Sequence, residues 1–199
     1  MIWNLSSQSD PWKAWDEWWA AAQKGALVPP ETVSLATVGA DHRPTTRTVY
    51  FRGIRERGFS FFTHYQSRKG KDLEALPAAC MLFHWQHGQR QVRVEGSVIR
   101  LNDHESDAYF YARERESQIS ACVSKQSEPL GSFEQFNQEV ESFLSKQGDH
   151  PLKRPENWGG YAIIPDLIEF WQAGVHRRHR RIEFRKQAGG SWKGGWLYP

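Results

Sequence analysis

The sequence is poor in the features that most quickly assign a chain to a class. It has two cysteines in 199 residues, Cys80 and Cys122, and no CxxC pair. That argues against a disulfide scaffold and a thiolate zinc site, and it predicts two buried, unpaired thiols. No apolar run approaches the ~20 residues a membrane helix needs, so no membrane partner is expected. The opening MIWNLSSQSD has neither a basic start nor an apolar stretch. It therefore reads as no secretory leader, and the cytoplasm is the expected location. GxGxxG, Walker and GxSxG motifs are missing, which removes the usual support for a dinucleotide fingerprint, a P-loop or a nucleophile elbow. His84 and His87 lie three apart with no third ligand near them, so no metal is expected.

Charge of one sign is also in short supply. The net charge of +3 is too mild to argue for nucleic acid. One local exception is the run His176-Arg177-Arg178-His179-Arg180-Arg181. A single short cluster without an accompanying nucleic-acid motif reads as a solvated loop, and no nucleic-acid partner is expected.

Aromatic residues, by contrast, are abundant. Ten tryptophans point to aromatic packing at a core, an interface or a flat ligand. Asp10-Pro11 predicts a helix start, and Trp12, Trp15, Trp19 and Ala22 repeat at helical spacing up to a stop at Gly25. Strand patterns cover Val33–Val38, Thr45–Phe51, Phe59–Thr63, Ala79–Trp85 and Gln91–Leu101, the last two joined by a turn at His87-Gly88. A short helix is expected from Ser67 to Leu76. Asn102 with Glu105, and Ser132 with Gln135, are capping boxes. The first opens a helix through Arg113. The second opens one whose apolar face is Phe133, Phe136, Val140, Phe143 and Leu144. After a polar loop at 149–157, further strands are expected at Tyr161–Ile164, Leu167–Trp171, Ile182–Arg185 and Ser191–Leu197. Nothing alternates as βαβ. The fold class is therefore mainly β with flanking α-helices: an antiparallel barrel in one domain over residues 1–199.

Four constellations carry chemistry. Ser67-Arg68-Lys69-Gly70-Lys71 lies at a strand-to-helix junction, where free N–H groups and the helix dipole favour phosphate; the alternative is a solvated basic turn. Arg47-Thr48-Val49-Tyr50-Phe51-Arg52 places Arg47, Val49 and Phe51 on one strand face and Thr48, Tyr50 and Arg52 on the other. Tyr109 and Arg113 share a helix face, with Ser117 following; they suit a second phosphate or a simple stacking pair. Phe170-Trp171-Gln172 precedes the basic run.

Together these motifs resemble the pyridoxine/pyridoxamine 5′-phosphate oxidase family. The match runs from about Asp10 to the end, through Ser67-Arg68-Lys69-Gly70, Arg90–Gly96, Ser106–Phe110, Ser124-Lys125-Gln126-Ser127 and Ile168–Gln172. The resemblance implies an FMN-binding split barrel and a homodimer with FMN across its interface. It further implies an N-terminal helical segment at 1–25 and a dimerisation segment at 165–199. It assigns Arg47, Arg68 and Lys69 to the phosphate and ribityl contacts of FMN, with Gln126 and Ser127 reaching the same cofactor. Thr48, Val49, Tyr50, Arg52, Phe62, Thr63, Gln91, Trp171 and Arg181 match positions around the rest of the cofactor. Tyr109, Arg113, Ser117 and Arg52 match the group that grips the substrate phosphate. Arg177 and His179 match the catalytic pair that covers the substrate ring. The implied reaction is oxidation of pyridoxamine or pyridoxine 5′-phosphate to pyridoxal 5′-phosphate, with oxygen reduced to hydrogen peroxide. Two alternatives stay open: a split-barrel flavin oxidase acting on another small ring, and a non-catalytic pyridoxal phosphate- or FMN-binding protein. The chain departs from the family at Arg52 (usually lysine), at Phe62 (often tyrosine), at Arg178 and Arg180 (leucine and aspartate), and at Trp196-Leu197-Tyr198-Pro199.

Overall fold

The computed structural model describes residues 3–24, 28–148 and 150–199. Asp10 caps helix α1 (Pro11–Gln23) by accepting from Trp12 N at 2.8 Å, with Pro11 in the first turn. The expected stop at Gly25 lies outside the described residues. Trp15 and Trp18 are the tryptophans of this helix that become fully buried, whereas Trp12 and Trp19 pack at its margins. Trp15 meets Phe59 and Phe83 edge-on, with centroids 4.8 Å from each, so α1 plugs one side of the sheet with aromatic rings.

That sheet contains nine antiparallel strands among the described residues. They are β1 (Thr32–Val38), β2 (Pro44–Tyr50), β3 (Ile54–Arg55), β4 (Gly58–His64), β5 (Ala78–Trp85), β6 (Arg90–Arg100), β7 (Trp158–Gln172), β8 (Arg180–Lys186) and β9 (Trp192–Leu197). The main path runs β2-β1-β5-β6-β7-β4-β3, with β8 and β9 branching from β7. The branching explains the split barrel. β6 pairs with β7 from Tyr161 to Gln172, while β4 takes the first half of β7 (Trp158–Ile163) and β8 takes the second (Leu167–Gln172). The patterning predicts two strands here, Tyr161–Ile164 and Leu167–Trp171, yet β7 is continuous. Pro165 has no N–H to donate, and the register shifts at its partner Gly96, where a side chain would strike the Ile164 carbonyl.

Helix α2 (Arg68–Ala75) is capped by Ser67, and α3 (Asp103–Tyr111) by Asn102. The pattern predicts α3 through Arg113, but it stops at Tyr111. A separate helix, α4 (Arg115–Val123), follows without a side-chain cap. That missing cap is why no start signal is legible for it. Helix α5 (Phe133–Gln147) follows its capping box, yet its expected apolar face is not buried. Val140 and Phe143 reach the small cluster around Phe110 and Trp158, whereas Phe133 stays 68% exposed. The two cysteines are free but only partly buried, against the expectation of buried thiols; Cys80 alternates with the buried Ala79 and Met81 and so lies on the face of β5 turned away from the core. No described helix is long and apolar enough to cross a membrane.

Candidate FMN and substrate site

Between β2, β4, α2 and the α3–α4 turn lies a cavity of about 820 Å³. Its walls hold Arg47, Thr48, Val49, Tyr50 and Arg52 from β2 and the residues just after it, and Phe62 and Thr63 from β4. Arg68 and Lys69 enter from α2, Tyr109, Arg113 and Ser117 from the α3–α4 region, and Gln126 and Ser127 from the following loop. The fold thus brings fourteen of the residues singled out from the sequence into one space.

The cavity has two ends with different chemistry. At one end the side chain of Lys69 is buried and donates to Thr63 Oγ1 at 3.0 Å, Gln126 Oε1 at 2.9 Å and Ser67 Oγ at 3.3 Å. All three are neutral oxygens. Burial and the nearby Arg47 charge push the ammonium down to about 8, the signature of a cation lacking an anion. Beside it, Asp72 on α2 accepts from Thr37 Oγ1 (2.7 Å), Thr45 Oγ1 (2.9 Å) and Arg68 Nε (2.9 Å). Arg47 donates to Thr37 and Thr45 at 2.6 and 2.5 Å and stands 3.7 Å from the same carboxylate. Asp72 therefore aligns two arginines through two threonines. Although the site is buried, these hydrogen bonds hold the Asp72 carboxyl below its ordinary range. Gly70 lets α2 approach closely, because a side chain there would collide with the Tyr65 carbonyl.

At the other end three rings form a tier. Phe62 stacks on Tyr109 with centroids 3.9 Å apart, and Trp158 lies nearly parallel to Tyr109 at 6.2 Å. The Arg52 guanidinium sits 4.8 Å from the Tyr50 ring and 5.7 Å from Tyr109, and the Arg113 guanidinium sits 4.9 Å from Trp158. Buried Arg52 Nε and one Arg113 terminal nitrogen have no hydrogen-bond partner among the described residues. Unsatisfied guanidinium nitrogens facing a cavity call for anionic oxygens. Both ends therefore fit anionic groups, such as the phosphate of a flavin.

Five predicted residues lie elsewhere. Gln91, Trp171 and Arg181 line a separate cavity of about 230 Å³ on the β6–β7–β8 face. His179 belongs to that side too: its ring is 4.7 Å from Trp171, and its Nδ1 accepts from Gly174 N at 3.3 Å. Arg177 is exposed at the end of a 3-10 turn, Val175–Arg177, with φ of 62°. Sequence reasoning missed Asp72 and several residues of the cavity wall. Asp72 was legible as the i+4 partner of Arg68. His64, Glu114 and Trp158 also line the large cavity, without a sequence signal. Burial and the Lys69 and Arg113 charges push His64 down to about 4, so it is neutral at ordinary pH.

The branched antiparallel sheet and its cationic cavity define a split-barrel protein of the FMN-binding class. Residues 20–147 match the family model described as pyridoxamine 5′-phosphate oxidase, and residues 158–199 match the pyridoxine 5′-phosphate oxidase C-terminal dimerisation region. The chain belongs to the pyridoxamine 5′-phosphate oxidase family. It is 46% identical over 184 residues to the pyridoxine/pyridoxamine 5′-phosphate oxidase of Cupriavidus necator, covering 92% of this chain and 86% of that one. The Burkholderia multivorans protein of the same name is 45% identical, over 90% and 83% of the two chains. Among solved structures, PhzG from Burkholderia lata 383 in complex with tetrahydrophenazine-1-carboxylic acid superposes with a TM-score of 0.88. It is 30% identical and covers 96% of this chain and 93% of that one. A pyridoxamine 5′-phosphate oxidase-related, FMN binding protein from Nostoc punctiforme shares the fold, with a TM-score of 0.75 at 18% identity over 98% of this chain and all of that one.

Proposed function

We propose that this chain is an FMN-dependent oxidase that converts pyridoxamine or pyridoxine 5′-phosphate to pyridoxal 5′-phosphate, with oxygen reduced to hydrogen peroxide. The observation that carries this reading is the two-ended cavity. Among the described residues Lys69 lacks an anion at one end, and Arg52 Nε and Arg113 Nη1 lack acceptors at the other. A reaction pairing a flavin phosphate with a substrate phosphate needs two such cradles. Family membership supports FMN as the cofactor.

In this reading Arg47, Arg68, Lys69, Gln126 and Ser127 hold the FMN phosphate and ribityl chain. Thr48, Val49, Tyr50, Phe62 and Thr63 flank the remainder. Arg52, Tyr109, Arg113 and Ser117 hold the substrate phosphate, with Arg52 also close enough to serve the cofactor. Gln91, Trp171, Arg181, Arg177 and His179 act from a second copy of the chain, whose 165–199 segment closes the interface in a single-domain homodimer. Their separation from the large cavity within one chain supports that arrangement. Bound FMN supplies the two-electron oxidation chemistry. The protein binds, orients and excludes water. His179 Nδ1 is engaged by Gly174 N, so the neutral imidazole carries its proton at Nε2 and can donate or relay it at the 4′ substituent. Arg177 orients that substituent. With the amine substrate, the oxidised product hydrolyses and releases ammonia.

A second reading, oxidation of an aromatic ring acid, draws on the likeness to PhzG solved with tetrahydrophenazine-1-carboxylic acid. Arg52 and Arg113 could pair with a carboxylate as well as a phosphate. The deciding experiment adds pyridoxamine 5′-phosphate in air to the purified, FMN-loaded protein while pyridoxal phosphate and peroxide are followed. Formation of both supports the first reading. A yellow protein that forms neither directs the search to ring acids, and a protein that cannot take up FMN overturns both.

A further inference from the structure

The β6–β7–β8 wall has one face in the core and one outside it. Val92, Val94, Ile168, Phe170, Ile182 and Phe184 fill the core face and are fully buried. On the other face the register places Gln91 beside Trp171 and Trp171 beside Arg181. One step along, Arg93 sits beside Glu169 and Glu169 beside Glu183. Glu169 is only 5% exposed, although its face is not the core. Its Oε1 accepts from Arg181 Nε at 2.7 Å, and its Oε2 accepts from Arg93 Nε at 3.1 Å and Nη2 at 2.6 Å. These contacts hold the Glu169 carboxyl below its usual range despite burial. Arg181 Nη1 donates onward to the Tyr198 carbonyl at 3.1 Å, while its Nη2 has no bond among the described residues.

Burying a carboxylate between two guanidiniums is a poor way to gain stability, because desolvation offsets most of the attraction. It is an effective way to fix a guanidinium's orientation. With Nε committed to Glu169 and Nη1 to the chain terminus, Arg181 keeps one N–H edge free beside Gln91 and Trp171.

We propose that Glu169 is a positioning residue of the flavin site: it holds Arg181 so that the guanidinium's free edge serves the cofactor. The inference rests on the reading that Arg181 contacts FMN. Glu169 itself touches no reacting atom and acts through Arg181.

The test is FMN titration of the apoprotein by flavin fluorescence quenching, with dimer content followed by sedimentation. Glu169→Gln keeps the shape and removes the charge, and it is expected to weaken FMN by about tenfold, the scale of one charged hydrogen bond. The visible band of bound flavin should shift with it, while the dimer persists. In an Arg181→Gln background the same substitution should cost nothing further, because its route of action is gone. Arg93→Gln, which breaks the other half of the buried cluster, should leave FMN affinity within about twofold. Unchanged affinity in Glu169→Gln, an additive loss in the double variant, or an equal loss in Arg93→Gln would each overturn the proposal. Should Glu169→Gln fail to fold, Glu169→Asp withdraws the carboxylate by one methylene; the same loss is expected, and unchanged affinity counts against the idea. Failure of wild-type protein to bind FMN would instead remove the functional reading on which the inference stands.

Discussion

Asp72 accepts from Arg68 Nε at 2.9 Å across one turn of α2, and the same carboxylate stands 3.7 Å from Arg47 on a different strand. One buried acid thus sets the positions of two basic groups that arrive from separate parts of the chain. Both arginines keep other donors for an anion in the cavity. Asp72 is a support for the cradle, since an anion in the cavity would be repelled by a carboxylate placed as a ligand.

Asp72→Asn should therefore weaken FMN and lower stability together. Removing a buried acid from beneath Arg47 should cost about 2 kcal/mol of folding free energy. Urea denaturation and FMN titration of the same sample check this, and a variant with wild-type values in both would remove Asp72 from the cradle. The pH dependence has a definite sign. The folded-state pKa of Asp72 is depressed, so its contribution is full above the ordinary carboxylate value of 3.8 and is lost as pH falls through the lower folded value. Acid unfolding of wild type should shift to higher pH if this contribution is removed.

Lys69 titrates near 8 in the free protein because burial disfavours the ammonium. Anion binding needs the charged form. FMN affinity should therefore decline as pH rises through about 8, and binding at that pH should take up protons. Calorimetry in buffers of different ionisation enthalpy reads the uptake directly. Lys69→Met should abolish the uptake and weaken FMN by at least tenfold. A pH-independent affinity between 7 and about 9.5 would contradict this account of Lys69.

Arg113 separates the two ends of the cavity experimentally. Arg113→Ala removes a guanidinium with an unsatisfied nitrogen beside Trp158. The Michaelis constant for the phosphorylated substrate should rise by about 10–100-fold while FMN stays bound. Release of FMN instead would assign Arg113 to the cofactor end.

His179→Ala and Arg177→Ala should reduce kcat with FMN retained, because neither lines the cavity proposed to take the FMN phosphate end. His179→Ala is expected to lose about 10²-fold if the imidazole relays a proton, and less if it only packs on Trp171. Wild-type turnover in both variants would clear them of any catalytic part.

Arg154 joins α3 to the start of β7. It donates to Asp103 and Asp107 and to the Trp158 carbonyl, each at 2.6 Å. Arg154→Ala should destabilise the α3 side by about 2 kcal/mol and loosen the ring tier through Trp158. Thermal melts check the first effect, and near-ultraviolet circular dichroism of the stacked rings checks the second.

The sequence by itself determined the type of the elements that carry a cap or an alternation, because both signals are local. Asp10-Pro11, Ser67, Asn102 and Ser132 each begin a helix where their side chains predict one. The alternation of Arg47 and Val49 against Thr48 and Tyr50 appears as half-buried against exposed along β2. Arg68 and Lys69 stood out in the sequence because a strand-to-helix junction with Ser at the cap presents free N–H groups that favour an anion.

Tertiary structure decided what local pattern cannot carry. The join of two predicted strands into β7 depends on β6, which pairs across Pro165 and absorbs the irregularity at Gly96. The α4 start lacks a capping side chain, so packing alone marks it. Phe133 on α5 stays 68% exposed among the described residues, which periodicity cannot foresee. Most of all, the division of the site residues between two cavities follows from the sheet order, which places Gln91, Trp171 and Arg181 on a wall remote from Lys69. Residue types specify what each group can bind; only the strand pairing, set by contacts distant in sequence, specifies which groups face the same space.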